Sequence, residues 1–301
     1  QDESWVARGA AEESYDFYST IQMAGYGLRM PMIIGCHNSH RVAALRQIGG
    51  FGAHDADDIL ATRLYRDCGW QGVYVPQILA RGRTPVDCRS FLAQQRRWAR
   101  SILDLKLRTY PAFSARTPRA ARLFSLLHGF NYLAQGLLPV LALILFSVVC
   151  ATAASARAVT ERFWVPLLVL LAAFAISRFF RQQFYLDPPN ERGLHWRAAV
   201  LRWARWPQML GALLDVFLDR HPAYEITPKQ GGRPGRFSVL WPHLLGAMVV
   251  GGCWLFGVLR GEATALSHGI AIGVVGGTLL LCLANRSAPS KTDHSTSSLT
   301  I

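Results

Sequence analysis

The sequence lacks the local signatures of several large protein classes. Its six cysteines, at positions 36, 68, 88, 150, 253 and 282, lie far apart, with no CxxC pair and no zinc-ligand spacing, and three of them fall inside apolar segments where a thiol packs as a small hydrophobe. Neither a disulfide framework nor a metal cluster is implied. No nucleic-acid-binding motif accompanies the 32 Lys and Arg residues, which crowd beside apolar segments. The formal charge of +13 therefore points to lipid headgroups and nucleotide phosphates rather than to nucleic acid. A basic, apolar, small-residue leader is also missing: the chain opens at Gln1 directly into mixed polar sequence and reads as the later part of something longer.

What is present is apolar and comes in blocks. With 51% hydrophobic residues in 301, the chain has room for one soluble domain and a few membrane spans. Residues 1–110 carry the soluble pattern. Phe17, Ile21 and Ala24 share a helical face that Gly25 and Gly27 end, so a short helix is expected over 13–23. Met32-Ile33-Ile34 suits a buried strand that delivers the loop Gly35-Cys36-His37-Asn38-Ser39-His40 to its end, and Arg41 to Ile48 reads as a helix closed by Gly49-Gly50. Loops at strand ends carry chemistry in sheet-based enzymes, so Gly35 and Cys36 are candidate ligand contacts. His37 and His40 invite a metal reading, but two histidines without a defined third ligand more commonly make ordinary hydrogen bonds.

The acidic run His54-Asp-Ala-Asp-Asp58 precedes Ile59, Leu60, Leu64 and Cys68 at helical spacing, with Gly69 as terminator. Carboxylates at a helix start cap free N–H groups, which would explain them by structure alone. One of them could instead serve as a general base that takes the proton of an attacking hydroxyl as a bond forms. Gly72-Val-Tyr-Val-Pro76 alternates as a strand should, and leads to Phe91-Leu-Ala-Gln-Gln-Arg-Arg-Trp-Ala-Arg100. In that segment Phe91, Trp98, Ile102 and Leu105 share a face while Arg96, Arg97 and Arg100 could meet lipid phosphates, as in an amphipathic interfacial helix. The same segment also offers a guanidinium suited to a phosphate group, an amide beside it and an aromatic face for stacking.

In order, the chain carries Gly35 and Arg41, Gly49-Gly50-Phe51, Asp57, Arg63-Leu64, Gly69-Trp70, Tyr74-Val75-Pro76, and then Gln94-x-x-Arg97-Trp98. This series resembles the membrane-embedded family 2 glycosyltransferases of the QxxRW type, the group of cellulose, chitin and hyaluronan synthases, and matches their C-terminal half. The resemblance implies an α/β fold class: a partial GT-A-like glycosyltransferase domain over 1–110, followed by an α-helical membrane domain with about four transmembrane helices. It puts the catalytic base on Asp57, counted back from Arg63-Leu64. The family's preceding Glu is Ala56 here, and Asp55 and Asp58 remain alternatives. Gln94, Arg97 and Trp98 would bind the diphosphate and the acceptor. The implied cofactor is Mg or Mn, with ligands mainly in a DxD-bearing first half that this sequence does not contain, so the fragment alone is expected to be inactive.

The membrane domain, 118–285, holds apolar segments at 129–153, 163–180, 238–259 and 266–284, the last two rich in glycines suited to close helix packing. The arginine-rich stretch between the second and third spans, set against short and weakly charged outer connections, puts the catalytic part and the tail on the cytoplasmic side of an inner or plasma membrane. Trp196, Ala199, Val200, Trp203, Leu210, Leu213 and Phe217 define a surface-lying amphipathic helix over 191–218, broken near Pro207. Tyr224-Glu-Ile-Thr-Pro-Lys229, in a loop over 224–230, resembles the FxVTxK gating loop of bacterial cellulose synthases, which implies that Thr227 and Lys229 contact the donor. Residues 286–301 are Ser/Thr-rich and read as a disordered tail.

The reaction implied is inverting transfer from a nucleotide diphosphate sugar, a UDP-sugar by resemblance, to a growing polysaccharide, coupled to membrane translocation. A lipid acceptor without polymer secretion is one alternative. A non-catalytic membrane scaffold or transporter remnant is the other. Partners are therefore the donor, a carbohydrate or lipid acceptor and membrane lipids, with no nucleic acid.

Overall fold

The computed structural model describes residues 4–109, 117–151, 153–222 and 237–286. The chain enters α1 (Trp5–Asp16) at Ser4, whose side-chain oxygen accepts from the Ala7 N–H at 2.9 Å and donates to the Val86 carbonyl at 2.6 Å. A serine cap satisfies N–H groups that the first helical turn leaves open, so the helix begins well before the apolar periodicity becomes legible. One π-helical turn, Phe17–Ile21, carries it into α2 (Gln22–Gly27). The short helix expected over 13–23 is thus the middle of a longer helical stretch. α3 (Val42–Gln47) and α4 (Asp57–Asp67) follow, the latter ending where Gly69 takes φ +87°, a left-handed turn that only glycine makes without strain. α5 (Cys88–Asp104) starts at Asp87, whose carboxylate accepts from the Ser90 N–H at 2.7 Å.

The α/β expectation is overturned. Among the described residues there is no strand and no sheet, and no GT-A-like layer is formed. Met32–Ile34 and Gly72–Pro76 form no regular element, because a segment becomes a strand only when its backbone groups pair with a neighbour. Here side chains take that place: the Ile33 N–H donates to Thr62 Oγ1 at 2.8 Å and the Ile34 N–H to Asn38 Oδ1 at 3.3 Å. The second segment is held by its tyrosine, Tyr74 Oη donating to the Tyr18 carbonyl at 2.6 Å, while Val73 and Val75 face outward.

Beyond residue 117 the chain is again helical. α6 (Arg119–Ala151) and α7 (Ala153–Arg181) are followed by α8 (Pro188–Glu191), α9 (Trp196–Ala204), α10 (Trp206–Phe217), α11 (Trp241–Leu259) and α12 (Ala265–Arg286). Four stretches, Arg119–Cys150, Arg162–Phe184, Trp241–Leu259 and Ala265–Asn285, are long and apolar enough to cross a membrane, with mean hydropathies of 2.4, 2.0, 1.6 and 1.9. Little of each is buried inside the protein, so their apolar surface is left for lipid. These four helices mark an integral membrane protein.

α6 and α10 join the two parts. α10 packs along α5 through Ala99 against Met209 and Ala212, and through Leu103 against Leu213 and Val216, with Tyr132 of α6 against both groups. Gly136 permits the approach of α6, since a Cβ there would lie 3.0 Å from the Leu210 nitrogen. α1 packs on α9 with Val6 and Ala10 against Leu201 and Ala204.

The stretch 191–218 is two helices, divided at Arg205 with Pro207 in the first turn of α10, so the break falls as its sequence suggested. The face it buries differs from the expected one. Ala198, Leu201, Ala204, Met209, Ala212 and Val216 face the protein together with Leu213, while Trp196 and Phe217 stay exposed. Both faces carry apolar residues, and packing against α1 and α5 selects the inner one.

Its arginines also have partners within the chain. Arg197 meets Glu12 at 3.0 Å and Arg205 meets Glu13 at 2.6 Å, while a second Glu12 oxygen accepts from the Ala198 N–H at 3.1 Å and so caps α9. Arg181 pairs with Asp16. The loop at 224–230 and the tail beyond residue 286 lie outside the described residues.

Candidate active site

α5 is the element on which the candidate residues converge. Asp87 caps its start, and Phe91, Leu92, Gln95, Ala99, Ile102 and Leu103 are buried along its length. Phe91 and Leu92 join the core made with α1, α9 and α12, while Ile102 and the adjoining Leu105 join a second core with Met32, Ala56 and Ile59. Trp98 lies on the same face as Phe91, Ile102 and Leu105, halfway between those cores, yet it is 45% exposed. The shared face is therefore not continuous. It opens over the tryptophan, which leaves an aromatic surface accessible between two packed walls.

Three polar residues beside the motif are used within the protein. Arg205 donates to Gln95 Oε1 at 2.9 Å, and Arg96 donates to Asp215 Oδ2 from Nε at 3.0 Å and from Nη2 at 2.7 Å. Burial holds the Arg205 guanidinium below its ordinary pKa, with the Glu13 charge opposing. Arg100 is buried and donates to Asp55, to the Arg220 carbonyl and to His221. Both Arg96 and Arg100 thus have partners within the chain. Gln94 and Arg97 are half-buried and Trp98 is exposed.

The acidic run is fastened to this helix at two points. Asp55 takes Arg100 Nη1 at 3.2 Å, and His54 meets Asp104 at 3.0 Å between His54 Nε2 and Asp104 Oδ2. His54 Nδ1 accepts from the Ala56 N–H at 2.9 Å, so its proton sits on Nε2 and is donated to Asp104. Burial pushes the Asp104 carboxyl up, but the hydrogen bonds from His54 and Thr109 and the Arg100 charge outweigh it, and its pKa is lowered. Arg97 precedes Arg100 by three residues, about 4.5 Å along the axis and close to the same flank. The end of α5 that carries Arg97 and the start of α4 are therefore neighbours.

Within the run the carboxylates differ. Asp57 is exposed, with Oδ1 accepting from the Asp58 N–H at 2.9 Å. Asp58 is turned toward the Gly35 loop: it accepts from the Ile59 N–H at 2.7 Å and from the Gly35 backbone, and a Cβ at Gly35 would lie 3.4 Å from Asp58 Oδ2. Burial raises the Asp58 pKa despite the Ile59 N–H, and the Asp57 charge adds to the rise.

Cys36 is exposed, with its Sγ 3.3 Å from His37 Nδ1 and 3.8 Å from Tyr18 Oη. Burial, then the nearby Cys36, pushes the Tyr18 hydroxyl above its ordinary pKa. His40 pairs with Tyr65 Oη at 3.0 Å rather than with a ligand set. No group of three His, Cys, Asp or Glu that could hold a metal occurs among the described residues. The Mg or Mn implied by resemblance finds no ligand cluster in them.

The structure thus joins Asp57, Gly35 and Cys36 with α5 through the residues between them. Thr227 and Lys229 lie outside the described residues. Sequence reading missed Tyr18, His54, Asp104 and the partners of Arg100, because each contact joins residues distant in the chain and no local spacing announces it.

No curated protein matches the chain. A family model does, that of Glycosyl transferase family group 2, over residues 1–177. That match covers more than half of the 301 residues and includes the Gly35 loop, the acidic run, α5 and α6, and it makes the chain a member of Glycosyl transferase family group 2.

Proposed function

We propose that this chain carries the acceptor and diphosphate side of a membrane glycosyltransferase of the QxxRW type, similar to cellulose and chitin synthases. The observation that carries the reading is that His54 and Asp55 of the acidic run are fastened to Asp104 and Arg100 of α5, which brings the start of α4, with the exposed Asp57, beside the helix that bears Gln94, Arg97 and the exposed Trp98.

The acceptor hydroxyl oxygen attacks the anomeric carbon of a nucleotide diphosphate sugar, a UDP-sugar in this reading, as the bond to the diphosphate breaks and the configuration inverts. The hydroxyl proton passes to the Asp57 carboxylate, which its exposed position leaves reachable. The diphosphate leaves with the electron pair, and the Arg97 guanidinium and Gln94 amide stabilise it by charge and hydrogen bonding. Thr227 and Lys229 are assigned to the same diphosphate by their resemblance to the gating-loop pattern. Trp98 stacks the acceptor sugar on its open face, and Gly35 and Cys36 line the acceptor side.

The packing of Tyr132 of α6 against the groups around Ala99 and Leu103 of α5 supports an acceptor that is a growing polysaccharide handed to the membrane helices, with the catalytic part and tail cytoplasmic. The test is transfer of radiolabelled sugar by membranes containing the full-length protein, with products sized on a gel. High-molecular-weight label supports polymer synthesis. Label confined to a lipid-extractable product assigns a lipid acceptor instead, and no incorporation from any nucleotide sugar contradicts the reading.

A further inference from the structure

Arg100 is not among the residues assigned to the chemistry, yet it is one of the most constrained side chains near it. Only 9% of the side chain is exposed, and its three guanidinium nitrogens serve three different partners. Nε donates to the Arg220 carbonyl at 3.1 Å, Nη1 to Asp55 Oδ2 at 3.2 Å, and Nη2 to His221 Nδ1 at 2.6 Å. Asp55 leads into α4 and so into Asp57, while Arg220 and His221 lie just past α10. His221 Nε2 in turn faces Asp219 Oδ1 at 3.0 Å, and Arg108 from the helical turn after α5 holds the same carboxylate. One buried fork therefore binds the lead-in of the acidic run, α5 and the end of α10 at a single point.

We infer that Arg100 is a positioning residue for transfer: it holds the first turn of α4, with Asp57, in register with Gln94, Arg97 and Trp98 on its own helix. The reasoning is geometric. The Asp57 carboxylate is bonded to the neighbouring Asp58 N–H, and Ala56 between it and Asp55 is buried against Ile102 and Leu105, so the carboxylate's place follows from where Asp55 and Ala56 are held. A fork with three divergent donors can do this, whereas an ammonium on a flexible stem cannot span the same three acceptors. Misplacement of a reacting group by about 1 Å can cost on the order of 100-fold in rate, so the register matters more than the net strength of the contacts.

The inference rests on the proposed transfer reaction, and its test has one readout that does not. In the full-length protein, Arg100→Lys keeps the charge and loses the fork. Hydrogen exchange at the 54–60 amides should accelerate while α5 and α10 stay protected, which reports the positioning whether or not a donor is known. Turnover should fall by about 100-fold with KM for the nucleotide sugar unchanged. Asp55→Asn should reproduce both effects in weaker form, and the double variant should be no worse than Arg100→Lys alone, because both act through one contact. Unchanged exchange at 54–60 in Arg100→Lys, or additive losses in the double variant, would overturn the inference. Should Arg100→Ala fail to fold, Arg100→Lys and Asp55→Asn still decide it. Wild-type protein that transfers no sugar would overturn the functional reading and leave the exchange result standing.

Discussion

Arg96 and Asp215 meet through two hydrogen bonds to one carboxylate oxygen, at 3.0 and 2.7 Å, and this pair fixes α10 along α5 beside the membrane helix α6. The Asp215 side chain is 5% exposed and that of Arg96 43%. Arg96→Ala would leave a buried carboxylate without its partner. The cost should be about 2 kcal/mol, below the 3–5 kcal/mol of a fully enclosed pair because water reaches the arginine. Thermal unfolding in detergent measures it.

Phe91 and Trp98 share a face of α5 and should behave in opposite ways. Phe91 is 1% exposed in a packed core, so Phe91→Ala should lose about 3–5 kcal/mol of stability. Trp98 is 45% exposed, so Trp98→Ala should change stability by less than about 1 kcal/mol while sharply reducing transfer. Denaturation and activity measured on the same preparations separate the two. A stability loss in Trp98→Ala as large as that of Phe91→Ala would make it a core residue.

Lys106 is held at Ser125, its ammonium donating to the carbonyl at 2.8 Å and to Oγ at 2.7 Å, in space left by Gly129, where a Cβ would approach Lys106 Cδ to 2.7 Å. Burial, then the Arg63 charge, lowers its pKa to about 8 from the ordinary 10.5. The folded state loses this proton first, so between those values the unfolded chain binds more protons and stability rises with pH. The penalty is fully present below pH 8. A pH series of melting temperatures should show the rise in the wild type and lose it in Lys106→Met.

Gly136→Val tests the junction of the two parts. Its Cβ would meet the Leu210 nitrogen at 3.0 Å, and backbone cannot yield as a flexible side chain can. A loss of about 1–3 kcal/mol is expected, with α6 and α10 displaced, whereas Gly251→Val, with nothing within 4 Å, should be nearly neutral.

How far the sequence can be read follows the range of the interactions. The termination of α4 at Gly69 and the four apolar helices were legible because caps, turns and apolar runs are local. The two expected strands were not, because alternation at Gly72–Pro76 reports a preference and says nothing of a partner strand. α6 begins at Arg119, ahead of the apolar run that suggested 129, since polar residues continue a helix that packing supports. For the candidate site, residue types were legible on α5 but their use was not: Gln95, Arg96 and Arg100 find partners 45 to 120 residues away in Asp55, Arg205, Asp215 and Arg220. How these three side chains are used is thus decided by tertiary contacts.

The central claim is that Asp57 and Trp98 act on an acceptor at the open side of α5. Sugar transfer from a radiolabelled nucleotide sugar by the full-length protein, compared with Asp57→Asn and Trp98→Ala, tests it most directly. The account predicts loss of transfer in both variants with folding and membrane insertion intact, and wild-type transfer in both would contradict it.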